Sequence, residues 1–209
     1  MKVFIGYTED ILNRFDNDIS CFHVKLFHED SKAAFVLLKY IIEKYGYQTD
    51  YYVKYTEFKK PYLKGLFYNV SHSKGRIAIA ISENEVGVDI QKYTDVVEKV
   101  KSKYYHEDDY EQNLLNMWVI KESYLKFIGI GLTNDLFNVR IKKDKVAYLK
   151  EEEAYYSCFS LDDDYALSIC SNVKEEIAIL TTYGNNLFFI KSPLDIYNFS
   201  FFFNITTNR

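Results

Sequence analysis

Two short runs constrain this chain most. Residues 77–81 alternate Ile with Ala, and residues 86–91 place Val86, Val88 and Ile90 on one side and Gly87, Asp89 and Gln91 on the other. A period of two is the signature of a β-strand. The polar stretch Ser82–Glu85 between the runs predicts a hairpin. Its first strand has a small-residue face that permits close packing. Its second carries Asp89 on the face opposite an apolar stripe.

Other stretches follow a different period. Ala34, Phe35, Leu37, Leu38, Ile41 and Ile42 recur at helical spacing, with Asp30-Ser31 to cap the start and Gly46 to end it. A second long helix is expected over 109–128, with Leu114, Leu115, Trp118, Leu125 and Phe127 as packing residues and Gly129 as its stop. Residues 95–103 read as a shorter helix. Residues 2–7, 51–55, 66–70, 136–141, 146–150, 155–161, 165–170 and 176–182 read as short strands. Lys59–Tyr62, Lys74-Gly75 and Asp162–Asp164 read as loops or turns. Residues 183–209 show no period, although Phe199–Phe203 is apolar.

The expected fold class is therefore α+β. Each half of the chain carries a helix and several antiparallel strands, so two similar lobes are expected, 1–92 and 93–209. At 209 residues the chain is long enough for a real core. A net charge of −4 argues against general nucleic-acid binding. Three cysteines without ligand spacing read as buried thiols of a reducing compartment. With no leader-like N-terminus and no long apolar run, the expectation is a cytoplasmic protein that spans no membrane.

Three clusters carry chemistry. Glu122 and Lys126 are spaced i, i+4 and share a helix face. Alone they are an ordinary surface pair, and Asp89 alone is an outward strand residue. Together, Asp89 and Glu122 suit Mg²⁺, which is held by one or two carboxylates plus waters and substrate phosphates, and Lys126 would neutralise a phosphate. Ser71-His72-Ser73 reads as a turn suited to phosphate. Neither serine sits in a G-x-S-x-G elbow, which argues against a hydrolase nucleophile.

In order, the chain shows Lys60-Pro61, Tyr68-Asn69-Val70-Ser71-His72-Ser73, Gly87-Val88-Asp89-Ile90-Gln91, and Trp118 through Lys126. This series resembles the 4′-phosphopantetheinyl transferases, in the larger monomeric class typified by the activator of surfactin synthetase. The resemblance covers roughly residues 57–135. It implies two similar α+β lobes with coenzyme A in the cleft. It implies transfer of the phosphopantetheine arm to a serine of an acyl or peptidyl carrier protein, releasing 3′,5′-ADP. Asp89 and Glu122 would bind Mg²⁺, with Gln91 beside them. Glu122 would activate the carrier serine, Lys126 would contact the pyrophosphate, and Lys60, Ser71 and His72 would hold coenzyme A phosphates. Asp109 lies where the family often has an acidic residue assisting proton removal.

Two departures stand out. Gln91 replaces the Glu of the fullest motif. Near Glu29-Asp30 the family's Arg-Thr nucleotide pair is missing, and this chain has Ala33-Ala34, with Lys25 or Lys32 as substitutes. The alternative to an active transferase is a weakened relative that binds coenzyme A or a carrier protein without modifying it. A phosphotransferase acting on another nucleotide is a third reading.

Overall fold

The computed structural model describes residues 1–26, 28–131, 136–148, 153–161, 164–183 and 186–190. The Asp162-Asp163 part of the expected turn and the apolar stretch Phe199–Phe203 lie outside the described residues.

The chain begins with β1 (Lys2–Tyr7), α1 (Thr8–Arg14) and a single 3-10 turn at Ser20–Phe22, followed by α2 (Glu29–Tyr45). The strands β2 (Lys54–Tyr55), β3 (Pro61–Tyr62), β4 (Phe67–Ser73), β5 (Arg76–Ser82) and β6 (Val86–Lys92) come next. Then α3 (Asp95–Lys99), α4 (Leu114–Ile128), β7 (Val139–Lys142), β8 (Lys145–Tyr148), β9 (Ala154–Ser160), β10 (Tyr165–Ser171), β11 (Ala178–Tyr183) and β12 (Asn186–Ile190) complete the order. Among the described residues no helix is long and apolar enough to cross a membrane.

Among the described residues ten strands form two five-stranded sheets, ordered β12-β11-β1-β5-β4 and β6-β10-β9-β8-β7, and β2 pairs with β3 in a separate two-stranded sheet. The fold is α+β, as expected. The alternating residues of each strand explain how the layers stack. In the first sheet Phe4, Ile77, Ile79 and Ile81 face α2 and pack on Leu37, Leu38 and Ile41. The opposite face, with Val3, Ile5, Ala78 and Ala80, packs on Val86, Val88, Ile90, Leu167 and Ile169 of the second sheet. The far face of that sheet, including Val139, Ile141, Val146 and Cys170, packs on Met117, Ile120 and Leu125 of α4. The result is four layers: α2, sheet, sheet, α4. Ala78 and Ala80, both fully buried, lie at the contact between the sheets.

Five expectations are corrected. The predicted hairpin of residues 77–91 does not form, because β5 and β6 belong to different sheets and β6 pairs with β10. Residues 86–90 are buried throughout, so β6 lacks the solvent-facing side its alternation suggested. A boundary near residue 92 does not sort the strands: β6 joins the second sheet, while β11 and β12 join the first, with β11 parallel to β1. Ser71-His72-Ser73 is not a turn, since β4 runs through it and the reversal falls at Lys74-Gly75. Finally, α4 starts at Leu114 rather than 109, because Asn113 caps it by accepting from the N–H groups of Leu115 and Asn116.

α2 ends at Gly46 in the left-handed conformation, as its sequence predicts. Its start differs. Asp30 does not cap the helix; its carboxylate accepts from the Thr8 hydroxyl at 2.6 Å.

Candidate functional site

Asp89, Glu122, Lys126 and Ser71 meet where β4, β6 and α4 converge. Gly87 makes this convergence possible. A Cβ there would overlap the Ser123 carbonyl oxygen and the Phe127 backbone nitrogen, so only glycine lets β6 lie directly on α4. Below the contact, the Ser123 hydroxyl on α4 bonds the Ile120 carbonyl and the Ser168 hydroxyl on β10. Helix and sheet therefore sit at backbone distance, and Asp89, two residues beyond Gly87, faces the same helix.

The polar geometry is tight. The Lys126 ammonium donates to Asp89 Oδ1 at 2.6 Å and to the Ser71 hydroxyl oxygen at 2.8 Å. The Ser71 hydroxyl donates to the same Asp89 Oδ1 at 2.8 Å. Asp89 and Glu122 are buried, 5% and 3% exposed, so their remaining oxygens decide what the site can hold. Asp89 Oδ2 and Glu122 Oε1 are buried without a hydrogen-bond partner among the described residues. Burial, with a smaller contribution from the neighbouring Asp89 carboxylate, pushes the Glu122 carboxyl up to about 8, against the pull of Lys126. Two inward carboxylate oxygens without donors are the ligand type a hard divalent cation takes. Among the described residues no set of three or more His, Cys, Asp or Glu side chains is placed to hold a metal. Gln91 occupies the strand position where a third carboxylate would stand, and its amide instead donates to the Lys92 carbonyl.

The other candidate residues lie apart from this cluster. His72 points to the opposite face of β4 from Ser71, toward α2, with Nδ1 3.7 Å from Asp30 Oδ2. Burial lowers its pKa, and the Asp30 carboxylate opposes that shift. Lys60 donates to Glu85 Oε2 at 3.0 Å and to the carbonyls of Phe127 and Val86 at 3.3 and 3.5 Å, so it ties the end of α4 to the start of β6. Beside it opens a cleft of about 610 Å³, framed by Tyr55, Tyr62, Phe67 and Phe127. Neither Asp89 nor Glu122 lines it.

Asp109 is also elsewhere. It is buried in an ion pair with Lys121 at 2.7 Å, and its other oxygen accepts from Ile141 N–H at 2.8 Å. Lys121 also donates to the Tyr104 carbonyl at 2.6 Å. The pair pins the segment before α4 to the helix and to β7, and its carboxylate has no free face for a substrate. Ala33 and Ala34 are core residues of α2, so the group facing His72 is the acid Asp30. Lys25 and Lys32 are exposed.

Sequence reasoning missed the Asn69 carboxamide, which accepts from Val88 N–H at 2.9 Å, and the Ser73 hydroxyl, which accepts from Lys92 N–H at 3.2 Å. Both pairs are 19 positions apart, a shared offset that could have suggested β4 and β6 lying side by side.

Two buried carboxylates and a lysine on a strand–helix contact make an arrangement that suits a divalent cation and phosphate oxygens. Comparison with known proteins narrows the class. Residues 85–170 match the model of the 4′-phosphopantetheinyl transferase superfamily. The chain is 27% identical over 135 residues to a 4′-phosphopantetheinyl transferase of Bacillus subtilis, covering 55% of this chain and 60% of that protein. It is 30% identical over 132 residues to one from Aneurinibacillus migulanus, covering 55% and 56%. It is 26% identical over 171 residues to one from Bacillus pumilus, covering 70% and 73%. The chain thus spans less than two thirds of the length of the first two relatives. The segment that matches the superfamily model contains Asp89, Glu122 and Lys126.

Proposed function

We propose that this chain transfers the 4′-phosphopantetheine arm of coenzyme A to a serine of an apo acyl or peptidyl carrier protein, releasing 3′,5′-ADP, in a Mg²⁺-dependent reaction. One observation carries the reading: the unpartnered oxygens Asp89 Oδ2 and Glu122 Oε1 are buried beside a lysine held by Ser71. Asp89 and Glu122 fit Mg²⁺, with substrate phosphates and water completing the shell in place of a third carboxylate. When bound, the ion would offset charge developing on the 3′,5′-ADP leaving group.

The chain's own residues do the rest. Lys126 and Ser71 fix the Asp89 carboxylate and present an ammonium and a hydroxyl to phosphate oxygens. Glu122, once it has released its own proton, accepts the proton of the carrier serine, whose own acidity is too weak for attack unaided. Gly87 keeps strand and helix close enough for both carboxylates to share one substrate. Coenzyme A would lie across the junction of β4, β6 and α4, where the two sheet–helix units meet. His72, on the outer face of β4, would reach a second phosphate only after its Asp30 neighbour is neutralised or moves. The protein would work as a cytoplasmic monomer, with no role for nucleic acid or membrane.

Incubating apo-carrier proteins with the chain, coenzyme A and Mg²⁺ tests this by intact mass. A gain of one phosphopantetheine on the carrier is expected. Coenzyme A binding without any gain favours a second reading, a binding relative that does not modify its partner. That reading draws on Gln91, which adds no charge to the site, and on Asp30, which adds an acid beside His72.

A further inference from the structure

We propose that Asn69 is a positioning residue for the Asp89 site. It acts through a side-chain ladder that joins the edge strands of the two sheets. The proposal rests on the transferase reading for its kinetic test and on geometry alone for its structural one.

β4 is the edge of the first sheet and β6 the edge of the second. An edge strand leaves a row of N–H groups unpaired, and a buried N–H needs an acceptor. β6 does not obtain these acceptors from another backbone. Val88 N–H takes the Asn69 carboxamide oxygen at 2.9 Å and Lys92 N–H takes the Ser73 hydroxyl oxygen at 3.2 Å. The common offset of 19 means that β4 and β6 run in the same direction in a fixed register. On that register Ser71 is the middle rung, opposite Ile90. Its hydroxyl is diverted to the Asp89 carboxylate at 2.8 Å. The outer rungs thus set the strand register, and the middle rung uses it to aim the carboxylate.

Asn69 is the stronger of the two outer rungs. It is buried, its hydrogen bond is the shorter, and it holds the residue immediately before Asp89. Removing its oxygen leaves a buried N–H unsatisfied beside the site. β6 then drifts relative to β4, and Ser71 and Lys126 no longer converge on one oxygen of Asp89. A side chain that only filled space would have no such effect on the carboxylate.

The experiment compares wild type with Asn69→Leu, which keeps volume and loses the acceptor, and Asn69→Ser, which restores a hydroxyl acceptor of the kind Ser73 supplies. Two readouts are taken: amide exchange at Val88 in the metal-free chain, and the Mg²⁺ concentration for half-maximal carrier modification. An unsatisfied buried N–H corresponds to roughly tenfold to hundredfold faster exchange at Val88 in Asn69→Leu. The Mg²⁺ requirement should rise by about fivefold or more, with partial return of both in Asn69→Ser. Unchanged Val88 protection, or activity that falls only with the folded fraction at an unchanged Mg²⁺ requirement, overturns the proposal. If Asn69→Leu does not fold, Ser73→Ala decides: faster exchange at Lys92 with a higher Mg²⁺ requirement supports the ladder, and no change in either overturns it. If wild type modifies no carrier, the transferase reading fails by itself, while Val88 exchange still decides whether the rung exists.

Discussion

At the scale of single residues, the site is a pair of buried carboxylates, each with one oxygen that has no partner among the described residues. Asp89→Ala and Glu122→Ala should each lower carrier modification by roughly a hundredfold or more while urea unfolding stays cooperative. Modification retained in either variant would remove that residue from the site. Glu122 also predicts a pH effect in the metal-free protein. Its carboxyl is pushed up to about 8, chiefly by burial. Below the ordinary carboxylate pKa it is protonated in folded and unfolded chains alike, so it adds no pH dependence. As pH rises from there toward about 8, the unfolded chain releases this proton and the folded chain keeps it. The unfolded chain then binds fewer protons, and stability falls with rising pH. Glu122→Gln removes the effect, so its urea midpoint should gain on wild type across that window. Parallel midpoint curves for the two proteins would show that Glu122 is not held neutral. Asp89, Glu122 and Lys126 were legible in the sequence because they lie on one strand and one helix, whose periods fix their faces. His72 was not, because a turn and a strand place consecutive residues differently, and only the strand sends Ser71 and His72 to opposite sides.

At the scale of elements, the contact between β6 and α4 depends on the absence of a side chain at Gly87. Gly87→Ala should force the backbones apart and destabilise the protein by about 3 kcal/mol or more, read from urea unfolding, since rigid main chain cannot yield as a side-chain tip would. A loss within experimental error would mean that the strand can shift freely. The buried pair of Lys121 and Asp109 gives a second expectation. Asp109→Asn strands a buried ammonium and should cost about 3–5 kcal/mol, much of it recovered when Lys121→Met is added. Modification per folded molecule should change little, and a large drop would return Asp109 to the catalytic machinery. The sequence could not show this pairing. An acid in a polar segment and a lysine in a helix motif carry no signal that they meet in the core. The unformed hairpin has a related cause: period two identifies a strand but not its partner.

At the scale of the whole molecule, the two sheets pack face to face over Ala78 and Ala80. Ala80→Leu should separate them, destabilising by about 1–3 kcal/mol and also weakening activity, because the β4–β6 ladder spans the same junction. Full stability in that variant would place free volume between the sheets. The α+β class, most elements and the Ala face were legible in local pattern. The exchange of strands between the halves was not, because it is set by distant pairing. That exchange has a consequence for synthesis. β1 is made before every other described element, yet one of its two neighbours, β11, follows all but one of the described strands. Until β11 is made, β1 therefore has an open edge. Contacts this distant in sequence close slowly, so the first sheet is completed only after the second has its strands.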